Sequence, residues 1–246
     1  MTRPVIVSLC DHSGNWTRPY AEAGYLVLRI DPKHAGRTGG GTGIVLDGED
    51  DPETYDRYGS QMDDGGWAVG ITAGEFARSV AAIGIEATIY DLTGISGYTQ
   101  VRGVIAQPPC TDFTVSGAQY WPAKDADGRT ERSLQIVREC LDVVAAVNPV
   151  WWVLENPVGR LPRLLPRLGS YRTIMQPWHY GDPYTKATCL WGTFTLTRDK
   201  SLEVEPIRAC AQGSWLQKLG GKSERTKELR SATPMGFARH FFRCNP

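Results

Sequence analysis

The sequence predicts an α/β domain with a mostly parallel sheet covered by helices on both faces, and three observations carry that expectation. Short apolar runs recur at residues 4–9, 25–30, 101–106 and 150–154, the near-continuous hydrophobicity of strands buried on both sides. Segments with helical punctuation lie between them. Turn-rich stretches follow the runs, as at the carboxyl edge of an open α/β sheet, where ligands gather.

Size and composition set the frame. The 246 residues suffice for one sizeable domain, and 41% hydrophobic with 22% charged residues is ordinary for a globular protein. The 27 basic and 27 acidic side chains cancel, so there is no global attraction to nucleic acid, although a local basic surface is compatible with that sum. Six cysteines and four histidines are scattered without a CxxC or metal-like spacing, which implies a reducing compartment, no zinc and no disulfide framework. The N-terminal apolar run is too short for a signal peptide, and no stretch approaches the ~20 residues of a membrane span; the expected location is the cytosol.

In order, Pro4 to Leu9 reads as a buried strand, Cys10 to Asn15 as a turn, Trp16 to Ala23 as a helix closed by Gly24, and Tyr25 to Ile30 as a second strand ending on Asp31. Such a βαβ unit lets a ligand approach the turn, and the acid after its second strand can bind two ribose hydroxyls; a strict GxGxxG is absent. Residues 32–71, with the Gly-rich run 35–43 and the acidic run 47–56, read as a surface insertion. Thr72 and Glu75 form a capping-box pattern opening a helix to Ile83, with Gly84 as its stop. Ala87 to Tyr90 reads as a strand ending on Asp91-Leu92.

Residues 101–117 organise the rest. Val101 to Ala106 is a strand that Pro108-Pro109 must end, because proline fixes φ and cannot extend a ladder. Cys110 is thereby presented at a strand tip, where a nucleophile would stand; alone, it reads first as a small buried hydrophobe in a turn, and only the segments that follow reverse that reading. Thr130 opens a periodic helix bearing Leu134, Val137, Leu141, Val144 and Ala145, stopped by Pro149. Val150 to Leu154 then delivers Glu155-Asn156-Pro157 to the edge that holds Cys110. Two further β-like runs follow, residues 171–176 and 188–194. Residues 195–230 lack a period and turn basic (Lys218, Lys222, Arg225, Lys227, Arg230), and the close, Ser231 to Phe242, is a turn leading into a short helix.

Taken together, these segments resemble the DNA cytosine-5 methyltransferases, in that family's order. Ser8 to Asn15 followed by Ala23-Gly24-Tyr25 is similar to its first motif, Asp91-Leu92 to the acidic pair at the cofactor's adenine, and Pro109-Cys110 with Phe113 and Ser116-Gly117 to its catalytic loop. Glu155-Asn156 matches its Glu-Asn motif, Tyr180 to Pro183 the approach to its Gln-x-Arg-x-Arg segment, and Ser231 to Pro234 its C-terminal return to the cofactor pocket.

The resemblance implies a Rossmann-like S-adenosylmethionine-dependent fold with a very small second region. It divides the chain into a catalytic domain over 1–194, a reduced target-recognition-like segment over 195–230 and a returning segment over 231–246. It implies methyl transfer from S-adenosyl-L-methionine to cytosine C5 in DNA, most simply a duplex with the cytosine flipped out, in a bacterial or phage-infected cytosol. Cys110 is then the nucleophile at C6, Glu155 the group on the N3 and amine edge, Asn156 the holder of the loop and Lys186 the surviving cation. Cys10, His12, Gly14, Asn15, Trp16, Asp31, Asp91, Leu92, Pro109, Ser231 and Thr233 are the implied cofactor contacts.

Departures qualify this. Thr188 stands where an Arg should meet the base O2, so Arg129 or Arg160 is the expected substitute. Thr111 replaces Gln after the nucleophile, Ser231 replaces Asn, His12 and Asn15 replace Gly, and the recognition region is short enough to imply relaxed specificity or an additional protein. RNA, a free nucleotide or a modified base as substrate, and a catalytically silent regulator that binds cofactor or nucleic acid, are the competing readings.

Overall fold

A computed structural model describes residues 4–34, 59–61, 66–98, 100–210, 213–219 and 223–246. The Gly-rich run 35–43, the acidic run 47–56 and Lys222 lie outside them. In chain order the strands are β1 (Val5–Leu9), β2 (Leu26–Ile30), β3 (Gly59–Gln61), β4 (Trp67–Val69), β5 (Val101–Ala106), β6 (Trp151–Pro157), β7 (Thr173–Met175) and β8 (Thr188–Thr193). The helices are α1 (Arg18–Glu22), α2 (Ala73–Ile83), α3 (Ile85–Thr93), α4 (Trp121–Ala126), α5 (Arg129–Val147), α6 (Leu161–Leu164), α7 (Glu224–Ser231) and α8 (Met235–Cys244).

All eight strands form one sheet in the order β3-β4-β2-β1-β5-β6-β8-β7. The pairs from β4 through β2, β1 and β5 to β6 are parallel, whereas β3 and β8 run antiparallel to their neighbours. This is the expected Rossmann-like α/β class, and its order reverses between β1 and β5, which makes the crevice at their carboxyl ends the topological switch point.

Alternation along the strands divides the core. Val5, Val7 and Leu9 of β1 face the layer of α2, α3 and α5, where Phe76, Ile89, Leu92, Leu134 and Val137 are buried. Ile6 faces the other layer, where Trp16 meets Phe237 and Phe241 of α8 edge to face and Tyr20 of α1 meets Phe242 in the same way. The C-terminal helix is thus built into one core layer.

Two expectations are corrected. The stretch expected as a strand at Ala87 to Tyr90 is helix α3, capped by Gly94 at φ 69°. Its Ile89 and Leu92 fill the core while Tyr90 and Asp91 face solvent, a helical spacing too short to separate from a strand by pattern alone. The second concerns residues 32–71, whose ends belong to the body of the domain: His34 is fully buried, and β4, with Ala68 and Val69 fully buried, is the strand that flanks β2. β3, within the same stretch, pairs antiparallel with β4. The capping box at Thr72 is present, with Thr72 Oγ1 accepting the Glu75 N–H at 3.0 Å and Glu75 Oε2 accepting the Thr72 N–H at 2.7 Å.

Candidate active site

Register brings Cys110, Glu155 and Lys186 to one place. Parallel pairing of Ala106 with Leu154 sets the residues after β5 beside those after β6. Antiparallel pairing of Pro157 with Thr188 brings the residues before β8 to the same carboxyl edge, and Lys186 is two positions before Thr188. The three side chains act on one another electrostatically. Burial, then the Glu155 carboxylate, push the Cys110 thiol up, opposed by Lys186 and Arg230. Burial raises Glu155, with Lys186 opposing; burial lowers Lys186, with Glu155 and Cys110 opposing. Two cations act on the Cys110 thiol, but burial and the carboxylate outweigh them.

Hydrogen bonds hold the thiol-bearing loop. Asn156, fully buried, donates from Nδ2 to the Pro108 carbonyl at 3.1 Å. The segment after Glu155 runs alongside the loop: Arg160 N–H donates to Phe113 O at 2.9 Å and Val115 N–H to Val158 O at 3.2 Å. A Cβ on Gly159 would lie 2.0 Å from the Phe113 oxygen, so only glycine permits this approach. Lys124, buried in α4, donates to Thr111 O and pairs with Asp112 at 3.1 Å, and Ser133 Oγ donates to Asp112 Oδ2 at 2.6 Å.

The expected substitutes for the missing Arg are occupied. Arg160 is 5% exposed, makes a bidentate pair with Asp125 at 2.8 Å, donates to Thr130 Oγ1 and Asp112 O, and stacks on Trp121. Arg129 is bound to Asp127. Thr188 itself is buried, its hydroxyl donating to Lys186 O at 3.2 Å. The cations that act on Cys110 are Lys186 and Arg230, a residue given no site role by its sequence position. Lys186 Nζ donates to the carbonyls of Ser231 and Ala232 at 3.1 and 2.9 Å, tying the end of α7 to the site.

The turn after β1 is built around Asp11. Its carboxylate accepts the Gly14 N–H at 2.7 Å, the Ser8 hydroxyl at 2.9 Å and the Thr17 hydroxyl at 3.3 Å. Gly14 has φ 68°, and the space of its missing side chain is filled by the guanidinium of Arg29, 2.5 Å from where a Cβ would stand. Its smallness therefore serves Arg29 on that side. The single charge within an otherwise apolar strand was the available signal for Arg29.

Asp31 ends β2, 8% exposed, with Oδ1 accepting the Lys33 N–H at 2.9 Å. His34, held neutral by burial, meets the Asp11 carbonyl at 3.0 Å through Nε2, and His12 stacks on it and pairs with Glu228 of α7 at 3.5 Å. The remaining predicted contacts divide. Asn15 borders this turn, its Oδ1 accepting from Arg18. Cys10, at φ 58°, packs its side chain toward the α2 and α5 layer. Pro109 is exposed beside Cys110, Ser231 Oγ donates to Glu228 O, and Thr233 Oγ1 donates to Gln107 Oε1 at 3.0 Å. Trp16 is corrected to a core residue, 1% exposed between Phe237 and Phe241. Asp91 and Leu92, on α3, lose the strand-end position on which their role depended, and Leu92 is core.

No family model matches the sequence, and no curated protein matches it. Among solved structures, it is similar to a protein provisionally assigned as a DNA modification methyltransferase encoded within a prophage of E. coli, at a TM-score of 0.44 and 11% identity over 83% of this chain. The match spans 52% of that chain, about half its length, and a likeness so distant carries no functional argument.

Proposed function

We propose that the protein transfers a methyl group from S-adenosyl-L-methionine to C5 of cytosine in DNA. The observation that carries this reading is the meeting of Cys110, Glu155 and Lys186 at the carboxyl edge of β5 and β6, in mutual electrostatic contact. Cytosine C5 is a poor nucleophile, and reversible addition of a thiolate at C6 activates it.

In this reading Cys110 Sγ, once deprotonated, forms the bond to C6. Glu155, whose raised pKa favours its protonated form, donates to N3 as negative charge develops there, while its other oxygen accepts from the exocyclic amine. Lys186, two residues before β8, supports the Cys110 thiolate and offsets the charge left on Glu155 as its proton shifts toward N3. The bound cofactor supplies the methyl group that C5 takes. Loss of the C5 proton to solvent and cleavage of the Sγ–C6 bond then restore the aromatic base and return the Cys110 thiolate, and Glu155 recovers its proton from N3. Asp31 and the Asp11-centred turn suit the nucleoside end of such a cofactor, offering a carboxylate for ribose hydroxyls at the end of β2. A target inside a duplex has to be flipped out, at a cost of a few kcal/mol. The short 195–230 segment makes the recognised sequence brief, or leaves recognition to another protein.

Nucleoside mass spectrometry of total DNA from cells expressing the wild-type chain or Cys110→Ser tests this. We expect 5-methyldeoxycytidine with the first and none above background with the second. Methylation that survives Cys110→Ser, or a modified ribonucleoside in place of the deoxynucleoside, overturns the reading.

A further inference from the structure

Gln107 stands where β5 ends, between the turn after β1 and the thiol of Cys110. Its backbone N–H donates to the Leu9 carbonyl at 3.0 Å, so it lies at the junction of β1 and β5, the switch point of the sheet. Its side chain is held from the C-terminal segment: Thr233, 6% exposed, donates its hydroxyl to Gln107 Oε1 at 3.0 Å. That bond fixes the amide plane and its orientation. The other end of the amide, Nε2, is buried and has no hydrogen-bond partner among the described residues. Buried amide donors are seldom left unpaired, and at a ligand crevice the missing partner is an acceptor on the ligand.

We propose that the Gln107 amide binds the carboxylate at the amino-acid end of the cofactor, an assignment that rests on the reading of the cofactor as S-adenosyl-L-methionine. The direction of the ligand follows from the edge itself. Asp31 draws the ribose toward β2, and transfer to a base held by Cys110 requires the sulfur to lie toward β5. The amino-acid chain, attached to that sulfur, then reaches the end of β5. The carboxylate of Asp11 cannot serve there, since it is taken up by Ser8, Gly14 and Thr17 and would repel another carboxylate. Gln107 offers a neutral donor with a fixed aim.

The test is calorimetric titration of the full chain with S-adenosylhomocysteine and with 5′-methylthioadenosine, which has the nucleoside and sulfur but no amino acid. In Gln107→Glu the donor becomes an acceptor. We expect it to weaken S-adenosylhomocysteine by at least about tenfold, as for loss of a hydrogen bond to a charged group, and to leave 5′-methylthioadenosine within about twofold. Gln107→Ala should show the same selectivity, and retained 5′-methylthioadenosine binding certifies that each variant is folded. Equal losses for both ligands, or no loss for either, overturn the assignment while leaving the cofactor reading intact. A wild-type chain that binds neither ligand overturns the cofactor reading, and the assignment with it.

Discussion

The backbone N–H of Arg160 donates to the carbonyl oxygen of Phe113 at 2.9 Å, fastening the segment that follows Glu155 to the loop that carries Cys110. Thiol and carboxylate therefore share a main-chain connection besides their neighbouring strands. That connection exists because Gly159 has no side chain, and it makes the spacing of the two groups sensitive to a methyl group.

Gly159→Ala places a Cβ 2.0 Å from a backbone oxygen, a contact that cannot be relieved by a rotamer. We expect a loss of about 1–3 kcal/mol in stability, as for overpacking, with activity falling further than stability because the loop moves relative to Glu155. Chemical denaturation beside a transfer assay measures both. A variant with unchanged stability and activity would show that the loop is not held at this point.

The Cys110 thiol should titrate above an ordinary cysteine, near 8.5, because burial and Glu155 raise it by more than Lys186 and Arg230 lower it. Its alkylation by iodoacetamide should therefore be slow at neutral pH and accelerate only in the alkaline range. Lys186→Met removes a lowering influence and should move the profile up, whereas Glu155→Gln removes a raising one and should move it down. Peptide mass spectrometry across a pH series gives the midpoint, and shifts of the same sign in both variants would contradict the arrangement.

Glu155→Gln keeps size and hydrogen-bonding capacity but cannot exchange a proton. Transfer should fall about 10²-fold or more, the usual contribution of a positioned acid or base, with S-adenosylhomocysteine affinity unchanged. A drop in cofactor affinity with the rate preserved would place Glu155 in the wrong half of the site.

Much of this was legible from residues. Pro108-Pro109 ended β5, Thr72 and Glu75 capped α2, and apolar runs flanked by turns marked β1, β2, β5 and β6, since these signals are local. Local pattern failed where two structures share one pattern: Ala87 to Tyr90 is a run short enough to pass for a strand, and β4 is so short that the Gly-rich and acidic runs before it concealed it. Trp16 reads as a ligand contact by its position after the turn, yet its indole is taken up by Phe237 and Phe241, more than two hundred residues away.

The sequence by itself determined the class of fold and the order in which a thiol and a carboxylate reach the carboxyl edge, because strand periodicity and proline breaks act over a few residues; Lys186 joins them only through the antiparallel pairing of β8 with β6. Tertiary structure alone decided which cations are available. Arg160 and Arg129 are neutralised by Asp125 and Asp127, while Arg230, from the far end of the chain, acts on Cys110. It also decided that Gln107 has one amide atom satisfied by Thr233 and the other without a partner among the described residues. Charge pairing and hydrogen-bond satisfaction are properties of neighbours in space, and one chain order is compatible with many such neighbourhoods until the sheet and its C-terminal helix have packed.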